Sequence, residues 1–208
     1  MTKDLDTEGR VLEAAKRVFI RKGYAGARMQ EIADEAGINK GLLHYYFKSK
    51  DNLFSAIFEQ AFREMVPRQN ELFESDLPLF IKLEQFVERY LDFLSEHPYL
   101  PAFVLLELQR HPEAFLQRIS GMDMKPNPMK LVMQIQMEAQ KGAIRIINPI
   151  HLVVNILSMC VFPFVARPMM QAMLQVSDAD YALFIRDRKE VIVDFVKNAL
   201  HPAPSTLH

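Results

Sequence analysis

An all-α fold, with a small N-terminal head of short helices and a larger C-terminal helical domain, is what the sequence predicts. Three observations carry this. Apolar residues recur at helical spacing in segment after segment, no run alternates strictly enough for a half-buried strand, and 12 prolines against 7 glycines sit mostly between the periodic segments. With 208 residues, 50% of them apolar, the chain can bury one good core or a small module plus a larger one.

The first helix is expected to start after Thr7, an N-cap residue followed by Glu8 in the first turn, and to close at Gly23. Val11, Leu12, Ala15, Val18 and Phe19 give it a buried face. Two short helices follow within Gln30–Lys50. Ile32, Ala33 and Ala36, with Met29 before them, form a buried stripe, and Gly37 can take the left-handed conformation that stops a helix. Asn39 can cap the next helix, anchored by Leu43, Tyr46 and Phe47. Lys40, Gly41, Leu42, His44 and Tyr45 are left on its other faces. Two helices joined by a tight turn are a means of presenting side chains to the DNA major groove. Ser49 caps a fourth helix whose apolar positions, Leu53, Phe54, Ile57, Phe58, Ala61 and Met65, persist to Pro67. The head is therefore placed at 7–67, with the helix-turn-helix at about 30–49, and a C-terminal domain at 68–208.

Downstream, Leu79–Glu96 reads as a long amphipathic helix ended by His97-Pro98, with a further helix over about Tyr99–Arg110 and a short one after Pro112. Gly121–Pro128 is a loop, and Pro128–Lys141 is a helix ended by Gly142. Asn148-Pro149 is a start signal, because asparagine caps and proline suits the first turn. The last helix is expected at about Asp180–Leu200, with Phe184, Val191, Ile192, Phe195 and Val196 on one side. The apolar run Leu152–Ala166 is shorter than the roughly 20 residues of a membrane span and holds Asn155, Ser158 and Pro163. It is expected to be a helix buried within its own domain and against a second chain, with no membrane.

A single cysteine, Cys160, excludes an intrachain disulfide framework and fits a reducing compartment. The charged N-terminus MTKDLDTEGR lacks the apolar segment of a secretory signal, so a cytoplasmic location is expected. Net charge is −1, but residues 7–50 hold nine basic and five acidic residues, about +4 there and about −5 elsewhere. A modest basic face of this kind suits phosphate contact, although an ordinary solvated surface explains it nearly as well.

At these residues the chain resembles the TetR family of transcriptional regulators. The resemblance rests on Gly23-Tyr24, Ile32-Ala33-Asp34-Glu35-Ala36-Gly37, Asn39 to Phe47, and Lys48-Ser49-Lys50, and covers about 7–60. It implies a homodimer whose two heads read a palindromic double-stranded DNA operator, and a C-terminal domain that dimerises through its last two long helices and holds a small-molecule effector. Ligand binding then spreads the heads away from the roughly 34–36 Å spacing of successive half-sites, as in a repressor released from DNA. The DNA-binding residues implied are Arg28, Gln30, Asn39, Lys40, Gly41, Leu42, His44, Tyr45 and Lys48. Ala27 departs from the pattern where a hydroxyl residue often caps the second helix, Leu42 replaces a common threonine, and His44 a frequent tyrosine. Leu42 favours an apolar contact such as a thymine methyl.

Each residue also has a plainer role. Asn39 serves as a cap first, Tyr46 and Phe47 as core, and Cys160 as inert packing. Nine methionines in the C-terminal half suit either an adaptable apolar pocket or ordinary gap filling; Phe86, Phe103, Met133, Met137 and Met159 are the first candidates for a pocket lining. His97, Glu107 and His111 match no metal-ligand spacing, so no metal and no cofactor is expected. No H-E-x-x-H, G-x-S-x-G, G-x-G-x-x-G or phosphate-loop pattern occurs, which argues against an enzyme.

Overall fold

The computed structural model describes residues 2–201, with side chains from Thr7 onward. Among the described residues there are eleven helices and no strand. They are α1 (Thr2–Gly26), α2 (Met29–Ala36), α3 (Lys40–Tyr46), α4 (Lys50–Glu74), α5 (Leu79–Glu96), α6 (Leu100–Arg110), α7 (Pro112–Ser120), α8 (Met129–Gln140), α9 (Pro149–Val165), α10 (Arg167–Leu174) and α11 (Asp178–Leu200). Packing divides the chain into two units, Met1–Met65 with His97–Phe115, and Val66–Glu96 with Leu116–His208. The division is not sequential: α6 and its flanks pack with the N-terminal helices, and the boundary after Met65 falls inside α4.

Two helix ends differ from the sequence expectation. Thr7 does not cap α1, which already begins at Thr2; its side chain is 9% exposed and turned inward. Helix α4 does not stop at Pro67 but continues to Glu74. Proline removes one N–H from the ladder, yet Val66, Gln69, Leu72 and Phe73 are all buried around it, and that burial holds the helix through the missing bond. At Gly23 the backbone has φ 65°, ψ 175°, so α1 breaks there as expected but turns helical once more to Gly26.

The first unit is built on an aromatic core. Phe54 stacks on Phe103 with ring centroids 4.0 Å apart, meets Phe19 edge-on at 4.6 Å and meets Tyr99 edge-on at 5.5 Å. Phe58 and Phe115 extend the cluster. Such pairs each add about 0.5–1.5 kcal/mol to the burial of their surface. Burial pushes the Tyr99 hydroxyl well above its ordinary range, with the Glu13 charge adding to the effect.

The second unit packs α5 against α9 and α11, with Leu83, Val87, Leu91, Ile135, Ile156, Cys160, Ile192 and Val196 at its centre. Local chemistry fixes its helix ends. Asn148 accepts N–H groups of Ile150 and His151, and Ser177 and Asp180 form a reciprocal capping box that starts α11. Gly142 ends α8 at φ 73°. Lys82, 1% exposed, donates to the carbonyls of Phe73 (3.0 Å) and Ser75 (2.8 Å) just where α4 ends. Desolvation lowers its pKa. Burial likewise pushes the Cys160 thiol up to about 12, which keeps it protonated and unreactive.

Candidate nucleic-acid interface

Helix α3 owes its shape to its two ends. Gly37, at φ 69° and ψ 34°, ends α2 by donating to Asp34, while Ile38 N–H reaches back 3.0 Å to the Ala33 carbonyl. Asn39 then accepts the Leu42 N–H at 2.8 Å, capping α3. Leu43 is fully buried and Phe47 is 6% exposed, which pins α3 against the head. The same anchoring leaves Lys40, Gly41, Leu42, His44 and Tyr45 on the outer face. Tyr45 is the extreme case, 78% exposed with its ring edge-on to Tyr46.

Individual positions acquire local reasons. A Cβ at Gly41 would sit 3.2 Å from the Asn39 oxygen that caps the helix, so glycine here protects the cap as well as opening the backbone. His44 Nδ1 donates to the Lys48 carbonyl at 3.3 Å, so the ring closes the end of α3. Gln30 donates to Asp34 at 2.8 Å along α2. Arg28, rather than Ala27, is the N-cap residue of α2; its backbone is extended and no side chain caps the helix there. Ala27 is buried instead.

The nine basic residues of 7–50 do not act as one face. Arg17 and Arg21 both bind Glu35, at 2.9 and 2.7 Å, Lys22 binds Glu31 at 2.7 Å, and Lys16 binds Glu13 at 2.7 Å. The pairs to Glu35 and Glu31 tie α1 to α2, whereas Lys16–Glu13 lies within α1. Hydrogen bonds from Arg21 and Arg17 hold the Glu35 carboxyl below the usual carboxylate range, and Lys22 does the same for Glu31. Among the described residues, Arg28, Lys40 and Lys48 are exposed and form no ion pair. Arg10, also exposed, donates to the Thr7 hydroxyl at 3.5 Å.

Comparison with known proteins agrees with this geometry. Residues 11–57 match the family described as "Bacterial regulatory proteins, tetR family", and residues 81–196 match "Tetracyclin repressor-like, C-terminal domain". The chain belongs to the TetR family. It is 34% identical over 97 residues to the HTH-type transcriptional repressor SCO4008 of Streptomyces coelicolor, covering 45% of each chain. It is 34% identical over 90 residues to the HTH-type transcriptional activator FasR of Mycolicibacterium smegmatis, covering 43% of this chain and 41% of that one. The chain thus spans about half the length of the curated relatives it matches. Among solved structures, a TetR transcription regulator from Haloarcula marismortui aligns at TM-score 0.63 with 22% identity, over 94% of this chain and 99% of that one. FadR from Bacillus subtilis, solved with stearoyl-CoA, aligns at 0.62 with 17% identity, over 92% and 98%. Members of this family are transcriptional regulators rather than enzymes.

Of the five residues singled out by sequence for a pocket lining, Phe103 falls in the first unit and the other four in the second, where Met159 packs against the same core cluster that holds Phe86. Phe103 lies in the aromatic core of the first unit, stacked on Phe54, because α6 packs with the head. Phe86 is buried in the second unit between Phe73 and Tyr90. Met133 and Met137 sit one turn apart on the outer face of α8, 55% and 48% exposed. Met159 is half-buried on α9, its carbonyl accepting Arg188 Nε at 3.0 Å. A cleft lined by Phe80, Leu83, Glu84, Val87, Val193, Val196 and Lys197 includes none of them and holds about 10 Å³, room for roughly one water. The expected single apolar side of α11 is in fact two: Ile192 and Val196 are buried, whereas Val191 and Phe195 are 58% and 62% exposed. Helix α10, with Met169, Met173 and Leu174 exposed, was not anticipated by sequence pattern at all. Among the described residues no single helix is long and apolar enough to cross a membrane; α9 and α10 together pass in length but bend by 72°.

Proposed function

We propose that this protein is a homodimeric repressor that leaves a palindromic operator when a small, largely apolar ligand binds its C-terminal part, with residues 7–67 serving as the reading head and 68–208 as the effector and dimerisation domain. The observation that carries the reading is the outer face of α3, where Lys40, Leu42, His44 and Tyr45 stand exposed on a helix fixed at both ends by Gly37, Asn39 and buried Leu43. Lys40 and Tyr45 suit base edges and backbone, Leu42 a thymine methyl, and His44 a donor or acceptor in the groove. Arg28, Lys48 and the first N–H groups of α4, capped by Ser49 at 3.1 Å, suit phosphates on either side. Gln30 and Asn39 act in support, Asn39 as cap first, and Gly41 by allowing close approach.

Two features support the dimer and the ligand. Ile150, Val154 and Phe162 recur every four or eight residues along α9, each more than half exposed, and Val191 and Phe195 continue the apolar character on α11. An apolar face of that extent suits burial against the same helices of a second chain. The ligand reading draws on the FadR structure with stearoyl-CoA and on Met133, Met137, Met159 and Phe86, adaptable groups in the second unit.

The test is a reporter driven by the DNA upstream of the gene, measured with the gene intact and deleted. Repression predicts that deletion raises expression; a fall would make the protein an activator and sink the repressor reading. Titrating the purified protein–DNA complex with stearoyl-CoA and a panel of uncharged apolar compounds then asks whether any of them releases the DNA.

A further inference from the structure

Helix α2 begins without a capping side chain, since Arg28 makes no cap bond and Ala27 is buried. Its entry into the head therefore has to be set by something else. Lys50, the first residue of α4, reaches across to the chain just before it. Its ammonium donates to the Tyr24 carbonyl at 2.8 Å and the Ala27 carbonyl at 3.2 Å, and lies 4.4 Å from the centroid of the Tyr24 ring. The end of α1 at Gly26 leaves the carbonyls of this stretch without helical donors. The Tyr24 hydroxyl in turn donates to Asp51, the neighbour of Lys50. One bond thus joins the start of α4 to Ala27, the residue immediately preceding Arg28, and a second bond with a ring contact joins it to Tyr24. An ammonium has three donors, and two are committed here.

We propose that Lys50 is a positioning residue for DNA binding: it holds Ala27, and through it Arg28, in register with the N-terminus of α4, instead of meeting phosphate itself. Charge alone counts Lys50 with Lys48 as a basic pair aimed at the backbone of DNA; the geometry separates them. Lys48 is exposed and unpaired among the described residues, while Lys50 is half-buried and engaged. The inference rests on Arg28 being a phosphate contact, as proposed above.

The experiment is a double-mutant cycle on DNA affinity, measured across a range of salt with the full chain and the upstream fragment. The variants are Arg28→Ala, Lys50→Met and the pair, with Lys50→Gln in place of Lys50→Met should the latter fail to fold; glutamine keeps one donor for the carbonyls. Circular dichroism establishes that each variant is folded at the assay temperature. Arg28→Ala is expected to weaken binding about tenfold in the otherwise native chain, the size of a charged hydrogen bond. In the Lys50 variant the same change is expected to cost less than about twofold, because Arg28 has already lost its place. Additive losses, with the salt slope falling by roughly 0.9 per head for each cation removed, would show two independent phosphate contacts and overturn the proposal. A silent Arg28→Ala in the native chain would overturn it too, and would do so by removing the Arg28 contact on which it stands.

Discussion

The two units of this protein finish their surfaces in opposite ways. In the first, an aromatic cluster around Phe54 forms the core, and the outer face of α3 carries Lys40, His44 and Tyr45 beside a single aliphatic side chain, Leu42. In the second, a packed core of Leu83, Leu91, Ile135 and Ile192 coexists with exposed Ile150, Val154, Val191 and Phe195. The face that α3 turns outward is mostly polar. The second unit still has apolar surface to bury, which is the condition for assembly. A regulator that reads DNA as a pair of heads needs both kinds of surface.

Substitutions in either unit test this division of surfaces. Phe54→Ala empties the centre of the head core, and a loss of about 3–5 kcal/mol in denaturant unfolding is expected. If the cost were under about 1 kcal/mol, the aromatic cluster would not be what holds the first unit together. Phe195→Glu places a charge on the exposed face of α11 without touching the core. Sedimentation should show a shift to monomer with unchanged helix content; a variant that stays dimeric would move the interface elsewhere.

Smaller changes sharpen the picture. Lys82→Met leaves the carbonyls of Phe73 and Ser75 without their buried donor, and about 1–3 kcal/mol of stability is expected to go with it. Asn39→Ala removes the cap of α3 and should cost about 1 kcal/mol, seen as faster amide exchange in α3 rather than in the second unit. The α1–α2 ion pairs give the weakest signal. The Glu31 and Glu35 pKa values are lowered from 4.5, so their contribution is present above that pH and lost as the pH falls through the lowered values. Glu35→Gln should lower stability slightly at neutral pH and leave it unchanged in acid below the lowered pKa, so that the acid limb flattens; a loss of the same size persisting in acid would contradict the assignment.

Much of the head was readable from residue order because its signals are local. Gly37, Asn39 and Ser49 act within four residues of themselves, and all three do in the structure what their chemistry suggests. The ends of α5, the start of α9 at Asn148-Pro149 and the stop at Gly142 were readable for the same reason. What was hidden depends on partners distant in sequence. Pro67 fails to end α4 because of burial on either side of it, and Lys82 sits between Ile81 and Leu83 with no hint that it turns inward. Phe103 carries no mark that it packs with Phe54, nearly fifty residues earlier, rather than with Phe86. Val191 and Ile192 are equally apolar, and only packing decides which faces out. The basic excess was visible, but not its internal consumption by Glu31 and Glu35.

The central claim is that the outer face of α3 reads DNA. Its most direct test is the affinity of the purified protein for the DNA upstream of its gene, measured against salt for the native chain and for Lys40→Ala/Tyr45→Ala. Both side chains are exposed, so the double variant should keep its helix content and melting temperature. The native chain should show log K falling linearly with log salt, and the double variant should lose about a hundredfold in affinity, two contacts of roughly tenfold each. Binding that ignores salt, or that survives the double substitution intact, would contradict it.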